Sequence, residues 1–319
     1  MRLIFELSGE HPTLPPAELE CVGEVIEARP QVAIAECLDP VATGRLALTH
    51  TVLAFLGSCG PSLPELSLLL RNLALSTDRT FAARVKKVAG SEVREPVPAI
   101  ERLVGTLIEG PVSLDRPGVE FRLILSADRI YVGRVLSRID RGVYNLRRPS
   151  NRPYFHPGVM LPRTARAMVN LSLVRPGETL YDPFCGTGGL LGEAALVGAA
   201  PAGSDADPVM LAGCRMNFPS VPLFLADARS LPLKDRSVDA VVTDLPYGTS
   251  SWIRGPNLAD LYTGSLGEIH RVLRPGQRAV VVTHRDIGDI AGSFFTVLQV
   301  HRQRVHKSLT RRIAVLRKD

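Results

Sequence analysis

Cysteine is scarce and scattered: Cys21, Cys37, Cys59, Cys185 and Cys214 are the only five, and none stands in CxxC spacing. That argues against a disulfide framework and against a zinc site, and leaves them as small buried apolar residues. The seven histidines are equally dispersed, so no metal is expected. Long apolar runs are missing too, since no stretch approaches the ~20 uninterrupted apolar residues that span a bilayer. The opening MRLIFELSGEHP lacks the basic-then-apolar layout of a secretory signal. A cytoplasmic chain with no membrane partner is expected. Internal repeats and low-complexity tracts are absent as well.

What the chain does have is positive charge, unevenly placed. The formal net charge is +6. Residues 1–50 are acidic, with eight Asp/Glu against three Arg, whereas residues 121–175 hold eleven Arg against Asp128 and Asp140 alone. Residues 301–319 add seven Lys/Arg against one Asp. A local run of guanidiniums is the footprint expected for a phosphate backbone, although a solvated face produces the same run.

A length of 319 residues exceeds one small core and suggests two or three domains. Residues 1–55 form a first zone, with a strand at RLIFEL, turns through SGEHPTLPP and helical spacing in AELECVGEV. Residues 56–147 form a second zone with an α+β pattern: strands FAARVKKV, EFRLILS and RIYVGRVL, and a helix at PAIERLVGTLI. Residues 148–160, with three prolines and little periodicity, read as an ordered linker. From residue 161 to 319 helices and β-branched strands alternate, which predicts a doubly wound, mostly parallel α/β sheet. Its last two strands, close in sequence, should form an antiparallel hairpin at one edge.

DPFCGTGG, from Asp182 to Gly189, stands at a strand-to-helix junction. Glycines there let the backbone turn sharply and approach a ligand at the helix N-terminus. A dinucleotide fingerprint fails, because Leu191 occupies its third glycine position, and the Gly-Lys-Ser/Thr of a P-loop is missing. An acid leading a GxGG loop suits a cationic ligand without phosphates, and S-adenosylmethionine fits: its ammonium and sulfonium need acceptors, not a lysine. Pro183, Gly186, Thr187 and Gly188 would line its loop. Three more acids end the following strands, Asp205 at 23 residues after Asp182, Asp227 at 22 further on and Asp244 at 17 beyond that. Asp205, with Ala206, is placed for the ribose hydroxyls, and Asp227, with Ala228, for the adenine amine, along the carboxyl edge where such sheets bind ligands.

Asp244-Leu245-Pro246-Tyr247 ends the fourth strand of the series and is similar to the [D/N]-P-P-[Y/F] signature of amino-methyltransferases. The lone pair of a planar amine is delocalised, and attack on a methyl group requires it to localise. Two acceptors aimed at the amine hydrogens favour that change and stabilise the positive charge as it develops. The Asp244 carboxylate and the Leu245 carbonyl are assigned these roles. Pro246 stiffens the turn, and Tyr247 offers a face for a flipped base. Adenine N6, guanine N2 and a glutamine amide all satisfy this motif alone.

With DPFCGTGG, SDAD, ADAR and DLPYG in this order, the chain resembles the THUMP-containing tRNA guanine-N2 methyltransferases, specifically the archaeal guanosine-10 type. FAARVKKVAG and VSLDRPGVEFRLILSADRIYVGRVL resemble a THUMP module, and FELSGEHPTLPPAELE resembles the ferredoxin-like domain that precedes it. RPYFHPGVMLPRTARAMVNLS resembles the segment before the glycine loop, and RVHKSLTRRIAVLRK the closing strand. The resemblance implies a Rossmann-like methyltransferase domain preceded by a ferredoxin-like plus THUMP region. It implies transfer of one or two methyl groups to guanosine at tRNA position 10, with THUMP docking the RNA. Phe155 to Gly158, including His156, would close over the cofactor, while His156 as a capped turn residue is the plainer alternative. Lys86, Lys87, Arg147, Arg148 and Arg152 are the expected phosphate contacts. A monomer is expected, with room for an accessory activator protein. The same chemistry at position six or on ribosomal RNA, and a tRNA-binding protein with a vestigial catalytic domain, are the competing readings.

Overall fold

The computed structural model describes residues 1–247, 258–306 and 309–319. The chain divides into two units, Met1–Asp140 and Arg141–Asp319.

Seven strands build the first unit: β1 (Arg2–Leu7), β2 (Gly23–Arg29), β3 (Val32–Cys37), β4 (Thr49–Cys59), β5 (Phe81–Lys87), β6 (Val119–Ser126) and β7 (Arg129–Arg138). They form one sheet in the order β2-β3-β1-β4-β7-β6-β5, antiparallel throughout except for the parallel β5–β6 pair. Helices Leu63–Leu73 and Val97–Leu107 set Leu66, Leu70, Ile100 and Val104 into a core with Phe81, Phe121, Leu123 and Ile130. The boundary expected between residues 55 and 56 falls inside β4, which pairs with β1 on one side and β7 on the other. One sheet therefore runs through both zones.

The helix expected across AELECVGEV is cut short. Helical turns end at Cys21, and Gly23 begins β2. Here strand pairing overrides helical spacing. A Cβ on Gly23 would lie 2.3 Å from the Glu36 carbonyl oxygen of β3, so glycine is what permits that close pairing.

The second unit contains β8 (Thr179–Asp182), β9 (Ala200–Asp205), β10 (Leu223–Leu225), β11 (Val238–Asp244), β12 (Leu273–Thr283), β13 (Thr296–His306) and β14 (Leu309–Arg317). Their order is β10-β9-β8-β11-β12-β14-β13. Neighbours are parallel from β10 to β12, and β14 runs antiparallel to both β12 and β13. The expected α/β sheet with an antiparallel edge hairpin is what forms. Helix Leu258–Val272 buries Leu261, Tyr262, Leu266 and Ile269 against Val241, Ala279, Val281 and Leu316. Every residue of β11 from Val238 to Thr243 is buried, Asp239 included, and the centre of the strand is accordingly the apolar run Ala240-Val241-Val242.

The expected linker is bound into this unit. Tyr154 donates its N–H to Asn217 Oδ1 at 2.9 Å, and Asn217 Nδ2 donates back to the Tyr154 carbonyl at 3.0 Å. Arg147 binds Glu193 through Nε at 2.9 Å, and Arg166 reaches the same carboxylate at 2.8 Å. Glu193, only 1% exposed, lies on helix Gly189–Leu196 directly behind the glycine loop.

Candidate active site

In the second sheet the chain leaves β8 toward β9 and β10 on one side, then returns to build β11 and β12 on the other. The strand order thus reverses between β8 and β11, and at such a switch point an open α/β sheet leaves a crevice at its carboxyl edge. Asp182 ends β8 and Asp244 ends β11, so the two acids flank the reversal. A cleft of about 400 Å³ opens there. It is lined by every residue assigned above to cofactor or catalysis except Phe155 and Gly188: His156, Pro157, Gly158, Asp182, Pro183, Gly186, Thr187, Asp205, Ala206, Asp227, Ala228, Asp244, Leu245, Pro246 and Tyr247.

Asp182 is 1% exposed. Its Oδ1 accepts from the Phe184 N–H at 3.1 Å and from the Thr243 hydroxyl at 2.7 Å. Burial pushes its carboxyl up to about 7, with those two donors pulling the other way. Thr243 precedes Asp244 directly, so one hydroxyl ties the floor of the cofactor half to the strand that carries the substrate motif.

Asp205 holds the glycine loop. Its Oδ2 accepts from the Gly186 N–H and its Oδ1 from the Asp207 N–H, each at 2.9 Å, and burial raises its carboxyl. A carboxylate offers about four lone-pair sites, so both oxygens keep acceptor capacity for hydroxyl groups. Asp227 is clasped by Arg229, whose Nε and Nη2 donate to it at 3.0 and 2.6 Å. That guanidinium orients the carboxylate and is a partner the sequence reading missed.

Gly186 and Gly188 both have left-handed backbone, at φ +50° and +86°. A Cβ on Gly186 would meet nothing within 4 Å, because that space belongs to the cleft, whereas one on Gly188 would fall 2.6 Å from Phe218 and 2.7 Å from Cys214. We expect Gly188→Ala to destabilise the unit by about 2–4 kcal/mol, backbone strain and overpacking together. Gly186→Ala should cost about 1–2 kcal/mol, from strain alone. Denaturant unfolding of the two variants checks the contrast.

In the substrate half, Asp244 Oδ1 accepts from the Tyr247 hydroxyl at 2.8 Å. Arg311 Nε donates to that hydroxyl oxygen at 3.2 Å, and Arg311 Nη2 lies 4.0 Å from Asp244 Oδ2. Asp244 keeps 25% of its side-chain surface open. Removal from water nevertheless pushes its carboxyl up to about 6, against the pull of Arg311 and Tyr247. Leu245 is 1% exposed and packs into the core with Leu261 and Tyr262. Its side chain therefore fills the core, leaving only its backbone to the cleft. The Leu245 N–H donates to the Val282 carbonyl at 2.9 Å, and the Tyr262 hydroxyl donates to the Pro246 carbonyl at 2.7 Å. These two bonds fix the turn that a second proline would otherwise stiffen. The Tyr247 ring leans on His284, with centroids 5.0 Å apart. Gly248, the last residue of the motif, lies outside the described residues.

Arg311 was invisible in the sequence. It reaches the carboxyl edge because β14 is antiparallel: Thr283, at the end of β12, pairs with Arg312, near the start of β14. Next to the half-buried Arg312, nothing in RRIAVL marks Arg311 as the one that turns inward.

The expected phosphate contacts separate. Arg147 is taken up by Glu193 and stacks on Tyr144, 4.8 Å from the ring centroid. Arg152 sits 5.5 Å over Phe218, and its burial lowers its pKa. Both guanidiniums are structural supports of the second unit rather than free surface charges. Arg148 is exposed. Lys86 and Lys87 are consecutive in β5 and so point to opposite faces of the sheet.

Among the described residues no helix is long and apolar enough to cross a membrane. Residues 149–313 match the family described as RMKL-like, methyltransferase domain. The chain is 33% identical to the tRNA (guanine(10)-N2)-dimethyltransferase of Methanothermobacter thermautotrophicus, over 99% of both chains. It is 29% identical to the enzyme of the same name from Pyrococcus abyssi, over 96% of each. The crystal structure of TrmN from Thermus thermophilus has the same fold, with a TM-score of 0.54 at 22% identity over the whole of both chains. A third of the residues shared along the full length, on top of a catalytic-domain match, makes this chain a member of the tRNA (guanine(10)-N2)-dimethyltransferase family.

Proposed function

We propose that this protein transfers methyl groups from S-adenosylmethionine to the exocyclic N2 amine of guanosine at position 10 of tRNA. The observation that carries the reading is the pairing of Asp182 and Asp244 across the switch point, linked through Thr243. The cleft has the charge such a donor requires. Among the described residues, five acids line it (Asp182, Asp205, Asp207, Asp227 and Asp244), against a single guanidinium, Arg311. That balance favours a cationic ligand and opposes a phosphorylated one.

When bound, S-adenosylmethionine supplies a methyl group activated by its sulfonium. Asp182 and the loop from Pro183 to Gly188 would hold the amino-acid end, Asp205 with Ala206 the ribose, and Asp227 with Ala228 the adenine. His156 lines the same cleft from the preceding segment. Asp244 and the Leu245 carbonyl accept the hydrogens of the target amine and favour the localised lone pair. The Tyr247 hydroxyl, now on Asp244 Oδ1, would be exchanged for the incoming amine, and its ring would support the base. Residues 1–147, with residues 56–147 in the role of a THUMP module, would dock the RNA.

The test is incubation of an unmodified tRNA transcript with enzyme and S-adenosylmethionine, followed by nucleoside mass spectrometry and mapping of the product. N2-methylguanosine or N2,N2-dimethylguanosine at position 10 is expected. Absence of both products sinks the proposal, and a product at another nucleotide removes position 10.

A further inference from the structure

Arg311 is a buried cation with an unfinished ion pair. It is 8% exposed and lines the cleft, yet its Nη2 stops 4.0 Å from Asp244 Oδ2, beyond hydrogen-bond range. Among the described residues, its one hydrogen bond onto the catalytic turn runs through Nε to Tyr247. A guanidinium carries five N–H donors in a fixed plane, and those of Arg311 that Tyr247 does not take open onto the cleft. A donor and an acceptor, both charged and both facing the cleft, thus stand side by side across a gap. A ligand edge that presents a hydrogen-bond donor next to an acceptor would satisfy both at once.

Guanine presents that edge. Its N2 amine is flanked on one side by N1–H, a donor, and on the other by N3, an acceptor. We propose that Arg311 is a substrate-reading residue: it donates to guanine N3 while Asp244 accepts from the N2 amine on the N1–H side. The pair then selects the base as well as placing it. Adenine's amine has lone-pair nitrogens, N1 and N7, toward both flanks and sets one of them against Asp244, whereas guanine sets N1–H there. The inference rests on the guanine-N2 reading above and adds a residue that the methyl-transfer motif does not contain.

The experiment compares two tRNA transcripts, one with guanosine and one with 3-deazaguanosine at position 10. In the second, N3 is replaced by C–H. Methylation is followed in single turnovers with wild-type enzyme and with Arg311→Gln, and calorimetric binding of S-adenosylmethionine monitors the fold of the variant. Wild type should methylate the 3-deaza transcript about 10- to 100-fold more slowly, the range for a lost charge-assisted hydrogen bond. Arg311→Gln should lose a similar factor on guanosine and treat the two transcripts alike. Equal rates of wild type on both transcripts would overturn the proposal, as would undiminished discrimination by Arg311→Gln. If wild type methylates neither transcript, the functional reading fails first, and that outcome is distinct from either of these.

Discussion

Asp244→Ala should lower the rate of methyl transfer by about 10²- to 10³-fold, the usual loss when one preorganised electrostatic partner of a transition state is removed. S-adenosylmethionine binding should survive. Asp182 keeps its own donors, Thr243 and the Phe184 N–H, whether or not Asp244 is charged. Single-turnover kinetics beside calorimetry separates the two effects, and a parallel loss of cofactor affinity would contradict the division of labour.

The pH profile tests the same residue. The Asp244 carboxyl is raised to about 6 by burial, and the chemistry uses its charged form. S-adenosylmethionine is kept saturating, so that the cationic donor holds Asp182 in its charged form despite a carboxyl raised to about 7. The rate should then be flat above about 6 and fall about tenfold per pH unit below it. Asp244→Asn keeps an acceptor oxygen but cannot titrate, so its residual activity should show no acid limb near pH 6. If the limb persists in Asp244→Asn, another group sets it.

Glu193→Ala should destabilise the second unit by about 3–5 kcal/mol. The carboxylate is shared by Arg147 and Arg166 and is itself 1% exposed. Its removal leaves the inner guanidinium, 6% exposed at Arg166, without that counter-charge. A drop of roughly 10 °C in the unfolding midpoint is expected, and weaker cofactor binding should accompany it, because Glu193 anchors the helix that begins at the glycine loop. Thermal melts with and without S-adenosylmethionine check both. An unchanged midpoint would mean that the pairs contribute nothing.

The cofactor half of the site was legible because each of its acids follows a β-branched or apolar strand, and a parallel sheet brings such strand ends to one edge. Asp182, Asp205 and Asp244 end strands, while Asp227 lies two residues past β10. Supporting residues were not legible. Thr243 and Tyr262 look like ordinary strand and helix residues, and Arg311 enters the site only through an antiparallel pairing that sequence spacing does not encode. Surface charge was the least readable property. Arg147 and Arg152 belong to a basic run, but their positive charge is used internally, by Glu193 and Phe218, and no feature of the run says so. The short helix before β2 shows the same limit, since Gly23 and its neighbours alternate well enough for either structure until a partner strand decides.

The unbroken course of β4 through two zones has a consequence for dissection. Its eleven residues carry hydrogen bonds to β1 and β7 together, so the first 140 residues should melt as one cooperative block. Cutting the chain at residue 55 would leave β1 its partners at residues 49–54 but take from β7 its partners at residues 51–55, baring a raw strand edge, and such edges associate with other chains. A fragment lacking the first zone would then precipitate for reasons unrelated to RNA. The docking role proposed for this unit is better probed by point substitutions than by truncation.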